Sequence, residues 1–166
     1  MTAAVNSHEK QMADWSVLLD RAALVCGKNL TQMTKTREAV LRGVYASPHP
    51  IRAYDLAELL SAQQGTRVAP NSVYRILNLF QQFGLVSRVT SIHAFVIAPE
   101  TAREGSLFLI CDNCGAAETV DVPEIAATLT AHSRKVGFIA TQHVLEILGC
   151  CGDCAGRPAE GDGHRV

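Results

Sequence analysis

Trp15, Leu18, Leu19, Ala22 and Cys26 recur at helical spacing, which predicts an amphipathic helix over residues 13–27 ended by Gly27. Residues 1–13 are small and polar and read as a loose start. A second helix is predicted over 35–46, with Thr34 as its cap and Val40, Leu41, Val44 and Tyr45 as its apolar side. Ser47-Pro48-His49-Pro50 breaks it. A third helix is predicted over 52–62, with Ala53, Leu56, Leu59 and Leu60 inward and a closing turn at Gln64-Gly65-Thr66. The fourth, over 70–83, opens on Pro70, Asn71 and Ser72 and stops before Gly84. Val73, Ile76, Leu77, Phe80 and Phe83 form one stripe, and Ser72, Arg75 and Gln82 lie off it on a polar face.

After Gly84 the period shortens. Leu85–Val89 and Ile92–Ile97 read as two strands of a hairpin, separated by Thr90 and Ser91 alone. Helices followed by such a hairpin make the pattern of a winged helix-turn-helix. Residues 98–105 read as a hinge. Leu107–Ile110 is a predicted strand, and 116–121 its hairpin partner. A helix over 122–136 follows, with Asp121 and Glu124 spaced as a capping box, Pro123 in the first turn, Arg134 and Lys135 in the last, and Gly137 as its stop. Residues 138–148 are β-rich, and 155–166 read as a flexible tail.

Composition narrows the class. At 166 residues, 48% hydrophobic and 19% charged, the chain is no disordered segment and is too short for a two-domain enzyme of usual size. No run approaches the roughly 18 to 20 apolar residues of a membrane span. Glu9, Lys10 and Asp14 precede any apolar run, which argues against a secretory signal and for a cytoplasmic protein. The net charge of −1 hides an asymmetry: residues 1–88 hold ten Lys and Arg against six Asp and Glu, and residues 89–166 hold five against ten. A basic half suits a polyanion, and an acidic half suits cations.

Five of six cysteines fall in the acidic half. Cys111-Asp112-Asn113-Cys114 and Cys151-Gly152-Asp153-Cys154 are two Cys-x-x-Cys pairs. Each pair can turn two thiolates toward one cation, and four sulfurs suit tetrahedral Zn²⁺. Such a closed site has a structural role, because no position is left for water. Redox-active thiols and an iron–sulfur cluster are the competing readings. Cys150 can replace Cys151 only by making the second pair Cys-x-x-x-Cys. Cys26 reads as a buried core thiol. An enzyme using a dithiol is disfavoured, since neither pair sits in a thioredoxin-like βαβ context, and there is no phosphate loop or nucleophile–base arrangement.

The fourth helix opens on the DNA-reading candidates. Ser72 can hold phosphate, Arg75 can donate two hydrogen bonds to guanine, and Tyr74 can meet phosphate or a thymine methyl. Arg37, Arg42, Arg52 and Tyr54 can add contacts. One monomer offers few contacts, so a dimer on double-stranded DNA with two half-sites is expected.

Met33-Thr-Lys-Thr-Arg-Glu-Ala-Val-Leu41, Ala53-Tyr-Asp-Leu56, Ser72-Val-Tyr-Arg-Ile-Leu77 and Gly84-Leu-Val86 resemble the DNA-binding domain of the ferric uptake regulator family. Phe108-Leu-Ile-Cys-Asp-Asn-Cys-Gly115 and Gly149-Cys-Cys-Gly-Asp-Cys154 resemble its dimerisation domain. Ala53-Tyr54-Asp55, Cys26 and Phe108–Asp112 point to the family's zinc-responsive members. The resemblance implies an α+β protein: a winged helix over 1–97, a hinge over 98–105, and an α/β dimerisation and zinc-binding domain over 106–154. It implies a homodimeric, metal-dependent repressor, not an enzyme, that binds an AT-rich inverted repeat before zinc-acquisition genes. Tyr54 and Arg75 match base-contacting positions. Cys111, Cys114, Cys151 and Cys154 match a structural zinc site with one ion per monomer, leaving Cys150 outside it.

The family's zinc sensors also hold a regulatory ion at the hinge, and here its ligand positions carry Ser87, Ala98 and Glu104, with Thr119 beside Glu118 at the acidic one. His93, Glu118 and His143 remain as regulatory candidates. The alternative is a family member whose DNA binding is constitutive or thiol-redox-controlled.

Overall fold

The computed structural model describes residues 15–29, 31–99, 106–141 and 143–155. The expected loose start, most of the hinge and nearly all of the tail lie outside the described residues. Four helices come first: α1 (Trp15–Lys28), α2 (Lys35–Ala46), α3 (Ala53–Gln64) and α4 (Pro70–Gln82). β1 (Ile51–Arg52), β2 (Val86–Val89) and β3 (Ala94–Ile97) form one antiparallel sheet in the order β1-β3-β2. A second sheet places β4 (Ser106–Cys111) between β5 (Ala117–Asp121) and β6 (Leu145–Gly149). β4 runs antiparallel to β5 and parallel to β6, so α5 (Pro123–Lys135) serves as the crossover. A short turn, α6 (Gly152–Ala155), follows.

Local chemistry sets these elements. The Thr34 side chain accepts from the Arg37 amide, as the pattern predicts, and such a cap contributes about 1 kcal/mol. Gly84 takes φ 66°, a left-handed conformation that closes α4 and lets the Leu85 amide return to the Phe80 carbonyl at 2.8 Å. α2 and α3 pack closely at Gly43, where an added Cβ would lie 2.3 Å from Leu56 Cδ1. The main core joins α1–α4 to the wing, with Phe80, Phe95, Leu18, Leu41, Leu56 and Leu77 fully enclosed. Each such side chain contributes about 1.5–3 kcal/mol by leaving water. Cys26 lies in this core with no exposed surface, as expected.

A second apolar seam joins the two sheets. Val89 and Val96 of the wing meet Phe108 and Ile110 of β4, with Ile92 and Ala117 beside them.

Several expectations need correction. Gly27 does not end α1; the helix runs one residue further and the Asn29 side chain caps the Val25 carbonyl at 2.8 Å. Leu59 is 41% exposed, and Ala57 takes the inward place instead. The hairpin turn is not two residues but Thr90 to His93, with the His93 amide donating to the Thr90 carbonyl and His93 at φ 52°. The capping box on α5 does not form: Val122 is the cap residue, and Asp121 accepts from the Ser106 hydroxyl at 3.1 Å. Only Leu145–Gly149 of the β-rich stretch forms a strand. No helix among the described residues is long and apolar enough to cross a membrane.

Candidate nucleic-acid interface and metal centre

α4 presents Asn71, Ser72 and Arg75 to solvent while Val73, Leu77 and Phe80 anchor it in the core. Tyr54, in the first turn of α3, is 60% exposed. Its ring meets Tyr74 edge-on at 6.0 Å, and Tyr74 meets the buried Phe95 at 6.3 Å. Tyr54, Ser72, Tyr74 and Arg75 therefore share one part of the surface, stiffened by a ladder of three rings. Arg52 precedes Tyr54 and is exposed too. The other two arginines are engaged by neighbouring groups of the fold. Arg37 donates to the Thr31 hydroxyl and the Gln32 carbonyl. Arg42 lies 4.6 Å from the centre of the Trp15 ring and pairs with Glu38 at 3.3 Å. Both have structural partners.

The four cysteines arrive from two strand ends. Cys111 closes β4, and the Gly115 amide donates back to its carbonyl at 2.9 Å, with Gly115 at φ 72°. The Asp112 amide reaches the Gly149 carbonyl at 2.8 Å, which holds the ends of β4 and β6 together. Cys151 opens α6, whose Cys154 and Ala155 amides donate to the Cys151 carbonyl. Gly115, but not Gly152, uses a left-handed backbone here. The Cys111, Cys114, Cys151 and Cys154 sulfurs all lie within 4.8 Å of one another, and Cys114 and Cys151 are 3.8 Å apart. Tetrahedral zinc with bonds of about 2.3 Å requires sulfur pairs about 3.8 Å apart, so the donor set fits that ion. Cys150 is exposed and outside the group, with its sulfur accepting from the Asn113 amide group at 3.5 Å.

Backbone amides tune the site. Burial pushes the Cys111 thiol up, but hydrogen bonds from the Cys151, Cys114 and Asn113 amides outweigh it and hold its pKa at about 6. The Cys151 amide lies 3.3 Å from that sulfur. Cys154 is pushed up to about 12, first by its hydrogen bond with the Cys151 thiol and then by burial. The backbone amides thus favour the Cys111 thiolate, and a divalent cation held by the four sulfurs would supply positive charge to the cluster.

The three regulatory candidates are not brought together. His93 lies in the wing turn with Nδ1 3.4 Å from Arg88, and His143 Nε2 is 2.9 Å from the Thr130 hydroxyl. Glu118 is exposed on β5. Among the described residues the four cysteines form the one group of three or more potential metal ligands. Ser87 is half-buried on β2, Ala98 is buried, and Glu104 lies outside the described residues. His132 Nδ1 lies 2.9 Å from the Thr128 carbonyl, which accepts from it. Its neighbours Ile125, Leu129 and Val136 are exposed, as are Phe138, Ile139 and Ile147. An apolar face of this extent on α5 and β6 requires a partner surface.

Sequence reasoning missed Glu146. Its carboxylate accepts from the Thr90 amide through Oε1 and from the Ser91 amide at 2.8 Å through Oε2. Burial raises its pKa, but hydrogen bonds from the Ser91 and Thr90 side chains and amides prevail and hold it below the ordinary value. The sequence carried one signal: an acidic residue inside the apolar run Val144–Leu148.

A winged helix whose fourth helix exposes Arg75, joined to a sheet closed by four clustered cysteines, defines a metal-binding DNA-binding protein. The ferric uptake regulator family model matches residues 28–148, and the chain belongs to that family. Its members are DNA-binding transcription regulators, not enzymes. The chain is 32% identical over 142 residues to the zinc uptake regulation protein of Escherichia coli strain K12, covering 82% of this chain and 81% of that protein. It is 27% identical over 148 residues to the ferric uptake regulation protein of Campylobacter jejuni, covering 89% and 94%. A solved zinc uptake regulator complexed with zinc and DNA superposes with a TM-score of 0.80 at 28% identity, covering 86% of this chain and 96% of that one. The holo form of XcZur gives 0.75 at 29% identity, covering 86% and 99%.

Proposed function

We propose that this chain is a zinc-responsive repressor that binds operator DNA as a homodimer and controls metal-uptake genes. The observation that carries the reading is the likeness of 86% of the chain, in one superposition, to a regulator complexed with zinc and DNA. Division into a winged helix over 1–97, a hinge over 98–105 and a dimerisation and zinc-binding domain over 106–154 accompanies it, as does a cytoplasmic location. Cys111, Cys114, Cys151 and Cys154 hold one structural zinc per monomer, whose charge cross-links the ends of β4 and β6. Tyr54 and Arg75 read bases, and Ser72 and Tyr74 hold the backbone of the groove. The exposed face of α5 and β6 covers itself against a second copy, which sets two reading helices at a half-site spacing.

The test is zinc content per chain by mass spectrometry after mild and then strong chelation, with operator binding followed in parallel. The expected result is one zinc that resists mild chelation and operator binding that falls as a weaker zinc leaves. Operator affinity that stays constant through mild chelation rejects zinc response.

A further inference from the structure

Hydrogen bonds and a shared core tie the wing, α4 and α1 into one body. The Leu85 amide ties β2 to the Phe80 carbonyl, and Arg21 of α1 donates to the carbonyls of Gly84 and Ala98. Any change in the attitude of the wing therefore turns the reading helix with it. Two features tie this body to the second sheet. One is the apolar seam of Val89, Val96, Phe108 and Ile110. The other is the pair of hydrogen bonds from Thr90 and Ser91 to Glu146, residues 56 and 55 positions apart in the chain.

These features differ in kind. Apolar contact is non-directional, so the seam holds the sheets together but tolerates sliding and rotation. The carboxylate is directional. Its two oxygens each accept from a successive backbone amide, a turn geometry that binds anions. Charge-assisted hydrogen bonds of this type lose strength steeply once misaligned. A clamp with two anchor points fixes an angle as well as a distance. Because both donors are main-chain groups of the turn, the Glu146 side chain is the one flexible piece in this link between β6 and the wing.

We propose that Glu146 is the positioning residue that fixes the angle between the DNA-reading unit and the dimerisation sheet, and so sets which half-site spacing the dimer accepts. This rests on the reading of the chain as a dimeric operator-binding protein. The wing turn then serves as a handle for the second domain, with its outward amides committed to Glu146.

The experiment uses the zinc-loaded full chain and a DNA site selected by the wild-type protein from a random pool. Affinity is measured for that site and for versions with the half-sites one or two base pairs closer or further apart. Wild type is expected to fall steeply with each change. Glu146→Ala is expected to bind the selected site about 10-fold more weakly and to lose most of the spacing preference. Glu146→Asp, which keeps both acceptors, is expected to restore the preference in part. Zinc content and sedimentation establish that each variant is loaded and dimeric. Should Glu146→Ala fail to dimerise, Ser91→Pro carries the test: it deletes one amide donor at a turn position that suits proline, without touching β6. Variants that are loaded, dimeric and as steep in spacing preference as wild type overturn the proposal. Failure of the zinc-response reading would appear elsewhere, as wild-type binding indifferent to chelation. The spacing comparison is made at saturating zinc and stands apart from that result.

Discussion

Gly43→Ala tests the packing that places Tyr54. Glycine inside a helix is unfavourable relative to alanine by about 1 kcal/mol, so the substitution is stabilising if α2 is considered alone. The structure argues otherwise. The new methyl carbon would lie 2.3 Å from Leu56 Cδ1, and Leu56 has no exposed surface into which to swing. Overpacking of this type costs about 1–3 kcal/mol, so the net effect is a loss of about 0–2 kcal/mol. The cycle with Leu56→Ala isolates the cause. That substitution alone costs about 2–5 kcal/mol, but it removes the atom in conflict. In its background Gly43→Ala should become stabilising by about 1 kcal/mol. Urea unfolding followed by the fluorescence of Trp15, the single tryptophan, reads this region directly, since its ring packs on Tyr45 of α2. The same change in stability in both backgrounds, or stabilisation in the wild-type background, refutes the close-packing argument.

Other substitutions separate the roles of neighbouring residues. Cys111→Ser should abolish the tight zinc and the dimer, seen by native mass spectrometry and ultracentrifugation, while Cys150→Ser leaves both intact; a zinc-loaded dimer of Cys111→Ser contradicts the clamp. Arg75→Ala should weaken operator binding by about 5- to 150-fold with an unchanged urea midpoint, as for loss of about 1–3 kcal/mol of base contact. Arg42→Ala should instead cost about 0.5–1 kcal/mol of stability through its lost contact with Trp15, with little effect on DNA affinity. Glu146 gives a pH signature. Its folded pKa lies below the unfolded value, so its contribution is fully present above about pH 4.3 and is lost as pH falls through the folded value. The stability difference between wild type and Glu146→Gln should stay flat between about pH 5.5 and 8 and shrink below about pH 4.5; a difference that grows on acidification reverses the assigned sign.

Much of the fold was legible because local chemistry and tertiary packing agree. Thr34 caps α2 and Gly84 closes α4 at the positions their side chains predict. The cysteine pairs were equally legible, since spacing alone dictates two convergent turns. What escaped depends on distant partners. β1 is two residues long and exists because Phe95 and Ala94 offer it hydrogen bonds. Asp121 has the position of a capping residue, but Ser106 competes for its carboxylate across the sheet. Leu59 fits a helical stripe, yet the buried stripe on α3 reaches only Ala53, Leu56, Ala57 and Leu60, beside the close approach at Gly43. Glu146 was invisible because its partners are main-chain amides more than fifty residues away, which no side-chain pattern marks.

The parallel pairing of β4 with β6 has a consequence for synthesis. Cys114 and Cys151 are 37 residues apart, so a ribosome adding about 5–20 residues per second needs about 2–7 s to deliver the second pair after the first. During that interval β4 has one free edge and the first pair has no partners. The Cys151 amide, which helps favour the Cys111 thiolate, arrives only with the final knuckle. The nascent thiols therefore gain their full affinity for a cation only once the second pair has been made. A chain that meets no zinc at that stage lacks the cross-link between the ends of β4 and β6, and its two thiol pairs stay open to oxidation until an ion binds.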